Sequence, residues 1–227
     1  MDLLEVMRTT FACREFKNEK IEDEVIHRIL DNARFAPSGG NRQGAHIIVV
    51  KDPEKKRKLG QLCESVLLLY AAQQKAGEVP YNTIKPSSIS LQEIETKTGH
   101  DFEMFNKLDE VPLLLIVSVD LSEVASMDKD LNRIGIVTGA SVYPLAWNIL
   151  VAARNEGLGG VLTTAVVPEE ESVRKLLDLP KSHAIAAMIP IGKPVQQLSR
   201  LTRRAVEEFT TVDSYNGNVF KLSLIHI

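Results

Sequence analysis

The sequence predicts one domain in which a β-sheet is covered by helices, of the α/β or α+β class. Three observations lead there. Segments with apolar residues at helical spacing alternate with short β-branched runs, the pattern of a sheet buried beneath helices. The chain has 227 residues, 44% hydrophobic and 25% charged, enough for one sizeable core and too apolar for a disordered chain. No internal repeat and no low-complexity linker divides it, so residues 1–218 read as a single domain.

The elements follow in order. Leu3, Leu4 and Met7 suggest a short amphipathic helix that stops near Arg8, Thr9 and Thr10. A clearer helix is expected over 22–36, with Val25, Ile26, Ile29, Leu30 and Ala33 on one face and Asp23 and Glu24 in its first turn, where the helix dipole favours negative charge. Pro37 ends it. Residues 46–50 (HIIVV) read as a buried strand. Asp52 then caps a helix that has Pro53 at its first position and Leu59, Leu62, Cys63, Val66 and Tyr70 on its apolar face. Residues 77–110 show poor periodicity, interrupted by Pro80, Pro86 and Gly99, as a lid or binding loop would. A second buried strand is expected over 112–120 and a long, mostly apolar helix over 130–156, kinked or broken near Pro144 and ended by Gly157 and Gly159. Residues 161–164 suggest a third strand, 168–177 a short helix, and 184–191 a fourth strand closed by Gly192. Residues 193–218 form a polar tail with no hydrophobic face of its own, suited to packing on a second subunit or lying in solvent. Residues 219–227 are expected to be a disordered or non-native end.

Charge and cysteine usage exclude several function classes. A net charge of -3 offers no basic face for nucleic acid or anionic lipid, so any anion site must be local. Cys13 and Cys63 have the number and spacing of neither a disulfide framework nor a metal site, and read as small buried thiols. The first residues lack a signal-peptide pattern, and the longest apolar runs, around 66–72 and 111–119, are too short to span a bilayer. A soluble, cytoplasmic protein is expected, with no membrane or nucleic-acid partner.

Four stretches carry groups suited to a ligand. Pro37, Ser38, Gly39, Gly40, Asn41, Arg42 and Gln43 join a helix to a strand. The glycines permit close backbone approach, and Ser38, Asn41 and Gln43 offer hydroxyl and amide groups that suit the polyol chain and pyrimidine edge of a flavin. The same residues also make an ordinary turn. In the stretch from Arg8 to Phe16, Arg14 can hold a phosphate bidentately or pair with Glu15 or Glu19. Gly157, Leu158, Gly159 and Gly160 run into Val161, Leu162, Thr163 and Thr164, where the backbone itself can face a planar ligand. No P-loop lysine accompanies either glycine-rich stretch, which argues against a phosphate-binding transferase. Arg200, Arg203 and Arg204 form a cluster in the tail that can clamp a phosphate or remain solvated beside Glu207 and Glu208.

Taken in order, these motifs resemble the nitroreductase family. The resemblance rests on Arg14-Glu15-Phe16, on Ala36-Pro37-Ser38-Gly39-Gly40-Asn41-Arg42-Gln43, on Ala152-Ala153-Arg154-Asn155-Glu156-Gly157-Leu158-Gly159, and on Ile191-Gly192-Lys193-Pro194 followed by an arginine-bearing tail. It implies an α+β fold with a mixed central sheet flanked by helices, in an intertwined homodimer with FMN at the subunit interface. Arg14 and one of Arg203 or Arg204 would hold the phosphate. Pro37, Ser38, Gly39, Asn41 and Gln43 would line the ribityl chain and ring, and backbone groups of Leu162, Thr163 and Thr164 would face the ring near N5. The implied activity is transfer of hydride or electrons from NADH or NADPH to a small electron-poor acceptor, such as a nitroaromatic or a quinone. The flavin carries the chemistry, with no protein residue required as catalytic acid and no metal. Alternatives are another reaction on the same fold (dehydrogenation, dehalogenation, flavin cleavage) or a non-catalytic flavin-binding sensor. Residues 77–110 would shape the substrate pocket, with Tyr81, Phe102 and Phe105 as stacking walls or as local core. Phe11 and Ala12 stand where the family often has arginine and serine, so backbone groups and Arg8 would have to stand in.

Overall fold

The computed structural model describes residues 1–89, 94 and 100–222. At its centre lies a four-stranded sheet in the order β1-β2-β4-β3, formed by β1 (Ala45–Val50), β2 (Leu113–Asp120), β3 (Gly159–Gly160) and β4 (His183–Gly192). The four strands pair antiparallel throughout. Among the described residues, the parallel component of the expected mixed sheet is a single bridge between Ala12 and Gly160 at the β3 edge.

β2 explains why the sheet is buried on both faces. Its residues alternate with the period of two that a strand imposes. Leu113, Leu115, Val117 and Val119 enter one core with α2 (Asp23–Ala33) and α6 (Tyr143–Asn155). Leu114 and Ile116 enter a second core with α3 (Pro53–Leu62), α4 (Glu64–Lys75), the single turn α5 (Glu103–Asn106) and α7 (Glu170–Leu177). The pairing of β2 with β4 slips by one residue, so that Ala186 bulges between the partners of Val117 and Ser118. The bulge frees the Ala186 carbonyl to accept a hydrogen bond from the Tyr143 hydroxyl at 3.3 Å.

Most elements lie where the sequence puts them, and the differences have physical causes. Asp52 caps α3 by accepting from the Glu54 N–H at 2.9 Å, with Pro53 at the first position. The helix that follows is two helices, divided at Cys63. The long helix expected over 130–156 begins only at Tyr143, because Pro144 is tolerated in a first turn and not in an interior. Ahead of it the chain is organised by the buried Asp128 carboxylate. That group accepts from the Ile136 N–H (2.7 Å), the Val137 N–H (3.3 Å) and the Arg133 guanidinium (2.8 Å), and these bonds hold it down at about 2. The third strand, expected over 161–164, is assigned only at Gly159–Gly160. The pairs Gly159–Gly192, Gly160–Ile191 and Thr163–Met188 share one register, and the ladder breaks at Pro190, which has no N–H to return to Val161. On α1 (Leu3–Thr9) the expected face is reversed: Val6 and Thr9 are buried, while Leu3, Leu4 and Met7 point outward. The tail is likewise less polar than its pattern suggests, exposing Val206, Phe209 and Tyr215. No helix among the described residues is long and apolar enough to cross a membrane. Of the end segment, residues 223–227 lie outside the described residues, as do positions 90–93 and 95–99 of the irregular stretch.

Candidate functional site

The N-terminal segment after α1 runs along the β3 edge. The Cys13 N–H donates to the Gly160 carbonyl (3.0 Å), Lys17 N–H to Lys193 (2.8 Å) and Val195 N–H to Glu15 (3.1 Å). Two glycines make this approach possible. A β-carbon on Gly159 would lie 2.9 Å from Cys13 Cβ and 2.8 Å from Pro194, and one on Gly192 would lie 2.8 Å from the Phe16 ring. Gly159 and Gly160 are therefore buried against protein, and the backbone that faces open space is the stretch after them.

That stretch borders a cavity of about 550 Å³ between α4, α5 and the start of α6, within the range usual for small-molecule sites. It brings together seven of the sequence-predicted residues: Arg14, Tyr81, Phe102, Phe105, Leu162, Thr163 and Thr164. Val161 and Thr163 pair with β4, so Leu162 and Thr164 turn the other way. Neither of their N–H groups has a hydrogen-bond partner among the described residues. Arg14 is exposed and donates one long bond, 3.4 Å, to the Ala12 carbonyl. It pairs with neither Glu15 nor Glu19, since Glu19 is taken by Lys193 at 3.1 Å. Arg14 is the one charged side chain lining this cavity among the described residues.

The far wall is aromatic. Tyr70 and Phe102 meet edge to face at 5.8 Å, and Tyr143 closes the side nearest α6. Phe105 serves both readings made from the sequence, lining the cavity while 7% exposed within the second core. The Tyr81 hydroxyl donates to the Val66 carbonyl at 3.3 Å, and burial raises its pKa. The sequence reading takes Tyr70 only as part of a helix's apolar face and does not single out Tyr143. Pro144 at a helix start was the available signal for Tyr143, because it places the preceding residue at the mouth of α6.

The glycine-rich loop borders a different cavity, of about 500 Å³, lined by Pro37, Ser38 and Gln43 with α2 residues and Ser141. Gly40, Asn41 and Gln43 all adopt left-handed backbone (φ 62°, 54° and 54°). Two are not glycine, and such strain persists only where surrounding bonds enforce it. Here the Gln43 N–H donates to Ser38 Oγ (3.0 Å), and the Gly39 N–H to Ser141 Oγ (3.2 Å). Gly39 and Asn41 belong to this loop without lining the cavity, and Arg203 and Arg204 line neither cavity. Arg203 bonds the Thr202 carbonyl at 2.7 Å, and Arg204 lies 5.9 Å from the Phe209 ring. Arg8 sits exposed in the last turn of α1, away from both cavities. Burial pushes the Cys13 thiol up and that of Cys63 to about 12, which suits inert packing residues.

One cavity thus offers a free guanidinium, two unpaired backbone donors and flat aromatic walls. The other offers hydroxyl and amide groups. Together they match a phosphorylated, planar heteroaromatic ligand with a polyol arm, and FMN has that chemistry.

Comparison with known proteins agrees with this chemistry. The model of the nitroreductase family matches residues 7–193. The chain is 25% identical over 206 residues to FMN reductase (NAD(P)H) of Bacillus subtilis, covering 90% of this chain and 70% of that one. It is 24% identical over 200 residues to human iodotyrosine deiodinase 1, covering 86% of this chain and spanning only 62% of the deiodinase. Among solved structures, the NADPH:FMN oxidoreductase from Vibrio harveyi complexed with NAD+ superimposes with a TM-score of 0.66 at 19% identity, over 98% of this chain and 80% of that one.

Proposed function

The chain belongs to the nitroreductase family, and from that premise we propose that it is an FMN-dependent oxidoreductase acting as a homodimer. Its electron donor is NADH or NADPH, and its acceptor is a small electron-poor molecule such as a nitroaromatic or a quinone. The observation that carries the reading is the division of the binding groups between two cavities of one chain. Each is half a flavin site, and a second copy supplies the missing half.

The exposed apolar side chains support this assembly. Leu3, Leu4 and Met7 on α1, Phe35 after α2, Trp147 on α6, and Phe209 and Tyr215 in the tail are left without cover in the single chain. Patches of this kind mark interfaces. Residues 1–218 make one domain whose tail wraps the second copy and brings Arg203 or Arg204 toward the phosphate.

FMN, when bound, would supply the hydride or electron transfer between nicotinamide and acceptor. The protein binds and orients. Arg14 neutralises the phosphate, and a guanidinium suits this role because its planar fork matches phosphate oxygens. The Leu162 and Thr164 N–H groups, without partners among the described residues, would serve as fixed donors to the ring, where such donors stabilise developing negative charge. Ser38, Asn41 and Gln43 of the second copy bond the ribityl hydroxyls and the pyrimidine edge, with Pro37 and Gly39 shaping that loop. Tyr70, Tyr81, Phe102 and Tyr143 exclude water from the face that receives nicotinamide and acceptor in turn.

The test is optical. The purified protein is expected to be yellow or to take up free FMN, and anaerobic NADH or NADPH is expected to bleach it. Protein that stays colourless after soaking in FMN rejects the reading. The deiodinase relative supports one competing acceptor class, a halogenated phenol. Turnover on a panel of nitroaromatics, quinones and iodophenols separates the two.

A further inference from the structure

The segment that leaves α4 is tied down more firmly than a surface loop requires. Gly77 reverses the chain with φ 74°, and the Glu78 N–H returns to the Gln73 carbonyl at 2.9 Å. The Glu78 carboxylate then clasps the far end of the loop, accepting from Ser87 Oγ (2.6 Å), Ser88 N–H (2.9 Å) and Ser88 Oγ (2.6 Å). Inside the clasp, Tyr81 is left-handed (φ 52°), a conformation that disfavours a bulky side chain. Two bonds to α4 hold it there. Its N–H donates to Gln73 Oε1 at 3.0 Å, and its hydroxyl donates to the Val66 carbonyl.

Gln73 is the unusual partner. It is 5% exposed and faces the 77–87 loop, where leucine or methionine would leave no polar group to satisfy. The residue it holds adds little to the core, because Tyr81 is 45% exposed. What Tyr81 does border is the 550 Å³ cavity, whose lining also includes Tyr70, Phe102 and Tyr143. A buried acceptor, a strained tyrosine and a clasped loop therefore converge on one wall of the site.

We infer that Gln73 is a positioning residue that fixes Tyr81 as a preformed wall for the aromatic acceptor. The inference rests on the reading of this cavity as the acceptor site. Acceptor selection then rests on bonds within the chain itself, which tie Tyr81 to Gln73 and Val66, and Glu78 to Ser87 and Ser88. Gln73 touches neither flavin nor acceptor and acts only through Tyr81.

The test is a double-mutant cycle on the FMN-loaded protein, with menadione and p-nitrobenzoate as acceptors and NADH held fixed. Gln73→Met keeps the volume and removes the acceptor oxygen. It is expected to raise the acceptor KM about five- to tenfold, the weight of one neutral hydrogen bond, with kcat and bound FMN little changed. Gln73→Glu, which retains an acceptor oxygen, restores most of the loss. Tyr81→Gly raises KM as well, and Gln73→Met adds nothing in the Tyr81→Gly background. If Gln73→Met fails to fold, the exposed pair Ser87→Ala and Ser88→Ala removes two of the three bonds to Glu78 without touching α4 and is expected to raise KM in the same direction. Unchanged KM in the folded Gln73 or Ser87/Ser88 variants, or additive losses in the double variant, overturns the inference while FMN binding and reduction by NADH stand. A wild-type protein that binds no FMN removes the functional reading and this inference with it.

Discussion

Arg14 shows how far a single residue can be read from sequence. Its type and its place ahead of Phe16 marked it as a phosphate ligand or as half of a surface ion pair. The structure removes the ion pair, because Glu19 bonds Lys193 and Arg14 is left facing the cavity. Arg14→Ala is expected to weaken FMN about ten- to a hundredfold, as loss of a charge-assisted contact does, with thermal stability unchanged. Fluorescence titration of the apoprotein measures it, and unaltered affinity rejects the phosphate role. Asp128 makes the opposite case. Nothing in its sequence context marked it, yet its carboxylate holds the loop ahead of α6 through three bonds. Its folded pKa, about 2, lies below the ordinary 3.8, so its contribution is complete above the unfolded value and disappears as pH falls through the folded one. Asp128→Asn is therefore expected to lower the melting temperature at neutral pH, with the gap to wild type closing between about pH 4 and about pH 2. A gap independent of pH would show that the charge is not what stabilises the loop.

At the scale of elements, local chemistry was legible and register was not. Asp52 and Pro53 announced the start of α3 because a cap is satisfied within three residues, and Asp52→Ala is expected to cost about 1 kcal/mol by denaturant unfolding. The start of α6 lies later than the sequence suggests, because a mostly apolar run ahead of a proline looks like helix until a carboxylate just before it, Asp128, claims its backbone. The break in the β3 ladder depends on Pro190 lying opposite Val161, which is a fact of pairing between distant segments. Of the glycines after α6, Gly159 admits Cys13 and Pro194, and through them places Arg14. Gly159→Ala is accordingly expected to cost about 1–3 kcal/mol by overpacking and also to weaken FMN, as the N-terminal segment moves off the β3 edge. Loss of stability with intact FMN affinity would separate the glycine from the site.

Across the whole molecule, the motif order pointed to the right fold and cofactor class before any geometry was known. What it left unresolved was that the loop from Pro37 to Gln43 and the groups around Arg14 face different cavities of the same chain. The outward stripe of α1 and the uncovered aromatics of the tail belong to the same problem, since a sequence gives the periodicity of a face and not the partner that covers it. A two-fold interface joins unlike halves twice over, so one assembly would complete two flavin sites.

Subunit mixing tests this most directly. Arg14→Ala and Gln43→Ala chains are each expected to bind FMN poorly as homodimers. Unfolded together and refolded, they form mixed dimers in which one site takes Arg14 from one chain and Gln43 from the other. The account predicts that tight FMN binding returns in the mixture, up to one intact site per mixed dimer, by flavin absorbance at saturation. A mixture that binds no more than the average of its two parents would place both groups in the same subunit's site and contradict the account.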